Sequence, residues 1–185
     1  MMARKINMLI HVGYPKTGSS WIQRFLFDNP GTGFAPLSGS DAQMRSAIMR
    51  LLVLPNPLLF DSEACLEHFS PAAKGPMYRG LVPILSHERL AGTPHSGGYD
   101  SKQLALRLAG VFPGAKVLIV VREQRSMIVS AYKQYVRNGG ACALWGYLHP
   151  PRDGRIPLFS FEYFEYHRLV GCYVDSFGSS SVLVL

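Results

Sequence analysis

The chain has 185 residues, 48% of them apolar, which is long enough for one domain with a sizeable core. A formal charge of +7 and an isoelectric point near 9.5 favour an anionic partner, without separating nucleotide, nucleic acid and acidic glycan. No stretch approaches the ~20 apolar residues of a membrane span, and the dispersed Cys65, Cys142 and Cys172, with no CxxC, argue against a disulfide framework or a zinc site.

The start, Met1-Met2-Ala3-Arg4-Lys5, is positive, but the apolar run after it is broken by Asn7, His11 and a glycine turn. That pattern does not make a signal peptide, and a reducing cytoplasm is the expected compartment. Ile6 to Val12 reads as a buried strand. The turn Gly13-Tyr14-Pro15-Lys16-Thr17-Gly18-Ser19-Ser20 follows, then a helix from Thr17 to Phe27 that stops near Asn29-Pro30-Gly31. Trp21 and Phe25 on that helix are expected in the core. Gly31 to Gly39 is a predicted loop. Asp41 to Leu54 is helical by the spacing of Met44, Ile48, Leu51 and Leu52, and Pro55 ends it.

Ser62 to Phe69 reads as a short helix with a weak Ser-x-x-Cys start. Leu81 to Leu85 is a second strand, in which Pro83 points to an edge position. Ser86-His87-Glu88-Arg89 comes next, then a polar loop from Gly92 to Tyr99 and a helix from a capping Asp100 through Leu108. Lys116 to Val121 has the continuous β-branched character of a central parallel strand. A helix from Gln124 to Arg137 follows it and ends at Gly139-Gly140. On this helix Ser126, Ser130, Lys133 and Arg137 share a polar side, and Ile128, Tyr132, Tyr135 and Val136 an apolar one. Residues 146–157 form a proline-containing loop, Phe159 to Phe177 an aromatic-rich helix, and Ser181 to Leu185 a last strand. Alternation of strands and helices predicts an α/β fold: three layers, a mostly parallel sheet, helices on both faces, P-loop NTPase-like. Ligands in such folds sit at the carboxyl ends of the strands, where three polar clusters fall: residues 13–20, 86–89 and 122–130.

A glycine turn between strand and helix is the layout of a phosphate cradle, because amides at a helix start point at the anion. It is not a Walker A loop, G-x-x-x-x-G-K-[ST]: Gly13 and Gly18 have the right separation, but Ser19 occupies the lysine position and the lysine has moved to position 16. An NTPase also wants a carboxylate at a strand end to organise Mg²⁺. Here that strand ends in Arg122, with Glu123 beside it, and a positive charge there suits a second phosphate better than a metal.

This combination resembles the sulfotransferase family that uses 3′-phosphoadenosine 5′-phosphosulfate (PAPS) as donor. Pro15-Lys16-Thr17-Gly18-Ser19-Ser20-Trp21 matches its first loop, roughly P-K-[TS]-G-[TS]-[TS]-W. Its second signature is a strand ending in arginine with a serine eight residues on, matched by Val117 to Arg122 and Ser130. The likeness is strong over residues 6–28 and 81–138 and weak elsewhere.

The resemblance implies that Lys16, Thr17, Gly18, Ser19 and Ser20 hold the 5′-phosphosulfate through backbone amides and hydroxyls. Lys16 would stabilise charge on the bridging oxygen as the S–O bond breaks. Arg122 and Ser130 would bind the 3′-phosphate, while Arg125 and Lys133 read as solvated charges. The acceptor is implied to be a hydroxyl of a carbohydrate or lipid-linked glycan, and no metal is needed. Glu88 is the favoured general base with His87 as the other candidate; the competing reading for both is a strand-end cap or an ion pair with Arg89. His95 is a weaker acceptor contact, and His11 is expected to pack within the first strand.

Members of this family continue past a strand like Ser181 to Leu185 with further helices and a basic loop, so a single domain over residues 1–185, incomplete at its C-terminal side, is the expectation. Two alternatives stay open: a P-loop kinase or NTPase, and a non-catalytic anion-binding module. Nucleic acid is not favoured as a partner, and oligomeric state is not legible.

Overall fold

A computed structural model describes residues 7–37 and 42–185. The expected starts of the first strand at Ile6 and of the second helix at Asp41, and the basic N-terminal segment, lie outside the described residues.

Among the described residues five strands form one parallel sheet in the order β2-β3-β1-β4-β5. They are β1 (Leu9–Gly13), β2 (Phe34–Pro36), β3 (Val82–Ser86), β4 (Lys116–Val120) and β5 (Val182–Val184). The α helices are α1 (Ser19–Ile22), α2 (Ala42–Ala47), α3 (Ser62–Tyr78), α4 (Ser101–Val111), α5 (Gln124–Arg137), α6 (Leu144–Leu148) and α7 (Tyr166–Phe177). The first two continue as π-helical turns, Gln23–Phe27 and Ile48–Val53.

The sheet is buried on both faces, which is why β1, β3 and β4 read as near-continuous apolar runs. Ile10, Val12, Leu85, Val117 and Ile119 face the larger core, with Phe69 of α3, Leu104 and Leu108 of α4 and Tyr173 of α7. Ile84, Leu118 and Val120 face the smaller one, closed by Phe27 with Ile22 and Phe34. The expected layers are therefore present.

Local departures have physical causes. Phe34–Pro36, expected as loop, is a short edge strand paired in register with Val82 to Ile84. That pairing makes β3 an interior strand despite Pro83. Pairing with β1 begins only at Ile84, so the missing proline N–H falls outside that ladder. Helix α3 runs 17 residues instead of stopping at Phe69. Asp61 caps it through the amides of Glu63 and Ala64, and Cys65, Phe69 and Ala73 hold its inner stripe while Pro71 lies on the exposed side. The Phe159 to Phe177 segment breaks at Glu165 into a 3₁₀ turn and α7.

Arg107 of α4 is 5% exposed and ends the π turn of α2 from outside. Its guanidinium donates to the carbonyls of Leu52 at 2.7 Å, Val53 at 3.2 Å and Pro55 at 2.6 Å, over the Phe60 ring. These carbonyls have no intrahelical donor, so the side chain serves as a remote C-cap. Arg107→Leu is expected to destabilise the fold by about 2–4 kcal/mol, since unsatisfied buried acceptors cost about 1–3 kcal/mol each. A urea denaturation midpoint checks this.

Candidate active site

The parallel register sets the site. Gly13 pairs with Val120, and His11 with Ser86, so β1 is flanked at its carboxyl end by the ends of β4 and β3. Neighbouring strands lie ~4.8 Å apart, so the three polar clusters line one edge of the sheet. The chain leaves β1 toward β2 on one side and reaches β4 on the other. The crevice beside β1 and β4 is thus a topological switch point, the usual ligand position in open α/β sheets.

The loop between β1 and α1 is tightly built. Lys16 adopts φ 69°, a left-handed conformation uncommon for a side-chain-bearing residue, and Gly18 adopts φ 84°. The Thr17 amide and hydroxyl both turn back to the Tyr14 carbonyl, at 3.3 and 2.7 Å. Thr17 therefore closes the turn, and its proton is not directed outward. Gly13 is needed for close approach: a Cβ there would stand 2.7 Å from Ser19 Oγ. No side chain caps α1, and the amides of Gly18, Ser19 and Ser20 have no internal partner among the described hydrogen bonds. Lys16 and Ser20 are exposed, whereas Ser19 is buried under the loop.

Arg122 joins the two sequence motifs. Its Nη1 donates to the Lys16 carbonyl at 3.0 Å, so the strand end clamps the strained residue of the loop. The turn carrying Arg122 is itself pinned: Tyr166 Oη donates to the Arg122 carbonyl at 2.7 Å, and Gln124 Nε2 to the Phe164 carbonyl at 2.7 Å. Neither Tyr166 nor Gln124 carries a sequence signal for this role, because their contacts span 44 and 40 residues. Ser130 stands half-exposed one helical face along, lining with Arg122 a cleft of about 340 Å³. Glu123, the carboxylate an NTPase would need, instead caps α5 through the amides of Arg125 at 2.9 Å and Ser126 at 2.7 Å. Those amide bonds hold its carboxyl below the usual range.

At the end of β3 the two base candidates differ. Glu88 is exposed and its carboxylate makes no ion pair among the described residues. His87 accepts the Arg89 amide on Nδ1 at 3.1 Å as a cap. Burial, then Arg45 and Arg89, push it down to about 4. Arg89 pairs with Asp100 at 2.8 Å, so neither strand-end residue forms the ion pair considered for it, and Asp100 does not cap α4 by its side chain. His95 turns inward, its Nδ1 3.3 Å from Tyr147 Oη.

A polar cluster beneath the site was not foreseen. Gln23 Nε2 donates to Ser86 Oγ at 2.9 Å, and Ser86 Oγ lies 2.7 Å from His11 Nδ1. This ties the helix after the loop to the end of β3, two residues before Glu88. His11 packs within β1 as expected, 1% exposed, and burial pushes it down to about 4 from 6.5. A lowered histidine pKa means that stability is full above pH 6.5 and is lost as pH falls toward 4. For His11 the expected loss from pH 7 to pH 5 is about 2 kcal/mol. Urea midpoints for His11→Gln should fall less over that range than those of the parent.

Trp21 and Phe25 are not in the core. They are 63% and 53% exposed and pack on one another, because α1 turns its inner face, through Ile22 and Phe27, to the sheet. On α5 the buried residues are Met127 and Ala131, with Ile128, Tyr132 and Tyr135 beside them, while Val136 is exposed. A larger cavity of about 710 Å³ lies apart from the loop, among residues 148–162, with Arg152, Arg155 and Phe161 in its wall.

A crystal structure of a sulfotransferase from Alicyclobacillus acidocaldarius superposes on this chain with a TM-score of 0.60 at 18% sequence identity. The match covers all of this chain and 73% of that one. At that identity the likeness establishes the fold alone, an α/β arrangement with a parallel central sheet like that of the matched structure. No family model and no curated protein sequence matches the chain.

Proposed function

We propose that the chain is a PAPS-dependent sulfotransferase, with residues 1–185 as one domain of that kind. The observation that carries this reading is the hydrogen bond from Arg122 to the Lys16 carbonyl, which makes two phosphate-type motifs one site. The donor supplies a sulfuryl group on a phosphate leaving group. Unpartnered amides of Gly18, Ser19 and Ser20 suit its 5′ end, and Arg122 with Ser130 its 3′-phosphate. Thr17 keeps the loop in shape. Lys16 offers its ammonium to the bridging oxygen, where charge builds as the S–O bond to phosphate breaks and the acceptor O–S bond forms. Glu88 takes the acceptor proton; its exposure favours it over the capped, weakly basic His87.

The acceptor class we favour is a carbohydrate or lipid-linked glycan hydroxyl, on the basic charge and the polar loop at residues 92–100. A cytoplasmic setting accords with the cysteine pattern, and no helix among the described residues is long and apolar enough to cross a membrane. Against a kinase or NTPase stands the engagement of Glu123 on its own helix. Transfer of labelled sulfate from PAPS to a panel of glycan acceptors tests the reading. Absence of transfer to every acceptor, with retained bisphosphate binding, favours a non-catalytic module instead.

A further inference from the structure

The cleft at the start of α5 holds more positive charge than the two motif residues supply. Among the described residues its wall is Arg122, Arg125, Ser126, Val129, Ser130 and Lys133, three cations and two hydroxyls without a carboxylate. Helical spacing explains the grouping. Residues 125, 129 and 133 follow one another at i, i+4 and i+8, with 126 and 130 alongside. Helical side chains lean toward the helix N-terminus, which suits Lys133, one turn on from Val129 and Ser130, to lining the same cleft as Arg125.

Among the described residues neither Arg125 nor Lys133 makes an ion pair or a side-chain hydrogen bond. The nearest carboxylate, Glu123, is drawn to the amides of Arg125 and Ser126. Those same bonds occupy the Arg125 and Ser126 amides of the first turn of α5, so the cleft offers an anion side chains more than helix-start amides. Arg122 meanwhile spends one Nη1 donor on the Lys16 carbonyl, leaving the rest of its fork to face the cleft.

We propose that Arg125 and Lys133 are binding residues for the second, doubly charged phosphate of the nucleotide, acting with Arg122 and Ser130. This rests on the PAPS reading and sharpens it: the chain recognises a nucleotide phosphomonoester by three converging cations, and so discriminates a 3′,5′-bisphosphate from a 5′-monophosphate. Arg125 contributes a fork and Lys133 a mobile point charge.

The test is calorimetric titration of the full chain and of Arg125→Gln/Lys133→Gln with adenosine 3′,5′-bisphosphate and with adenosine 5′-monophosphate. Partly exposed charge pairs are individually modest. The double variant should therefore lose about tenfold in bisphosphate affinity and keep monophosphate affinity within about twofold. Arg125→Lys/Lys133→Arg should restore most of the loss. Equal weakening toward both nucleotides overturns the inference, since a diffuse field alone would do that. Unchanged bisphosphate binding by the double variant overturns it and leaves the PAPS reading standing. Failure of the parent chain to bind either nucleotide overturns both.

Discussion

Lys16→Ala is expected to lower sulfuryl transfer by roughly 10²–10³-fold, the usual cost of losing one preorganised group at a site of developing charge. The loss should fall on kcat and not on donor affinity. Gly18, Ser19 and Ser20 keep their unpartnered amides and Arg122 keeps its guanidinium, so bisphosphate binding should stay within a few-fold. The left-handed backbone at Lys16 provides a control that separates chemistry from folding. An L residue in that conformation carries a strain of roughly 1–2 kcal/mol, which glycine relieves at some cost in chain entropy. Lys16→Gly should accordingly be as stable as the parent, or more stable by about 1 kcal/mol, and equally impaired in transfer. Full transfer by Lys16→Ala would remove the assigned role.

Arg122→Ala should act on binding. The side chain has two tasks: facing the cleft it shares with Ser130, and holding the Lys16 carbonyl at 3.0 Å. Loss of charge-assisted hydrogen bonds, worth about 1.5–3 kcal/mol each, predicts a bisphosphate affinity weaker by roughly 10²-fold. Because the loop is released as well, 5′-monophosphate binding should also weaken. That distinguishes Arg122 from Arg125 and Lys133, whose removal should spare the monophosphate. Arg122→Lys should recover only part of the loss, since an ammonium cannot serve a carbonyl and a phosphate from one planar fork. Nucleotide titrations of the two Arg122 variants check both statements.

The sheet and the helix after β4 were legible because their signals are local. The strand cores are short apolar runs, most continuous and β-branched in β4, and Gln124–Arg137 matches its expected bounds. The loop was legible from glycine spacing and from the displaced lysine. What escaped depends on distant partners. The β2 strand exists only because Phe34 to Pro36 meets β3, and that same pairing moves Pro83 from edge to interior. Trp21 and Phe25 are expected in the core from the sequence, but helix phase decides, and Phe27 takes the inward position. That Arg125 and Lys133 border one cleft with Arg122 and Ser130 needs the end of β4 beside α5 as well as the helix phase. The His11–Ser86–Gln23 cluster needs β1 and β3 side by side before its members can be related.

The central claim is that the Lys16 loop and Arg122 form one clamp for a nucleotide bearing phosphates at both ends of its ribose. Titration of the parent chain with adenosine 3′,5′-bisphosphate, set against ATP with Mg²⁺, tests it most directly. Saturable one-to-one binding of the bisphosphate, independent of Mg²⁺ and much tighter than that of ATP, is the predicted result. Mg²⁺-dependent binding of ATP with no response to the bisphosphate would contradict it.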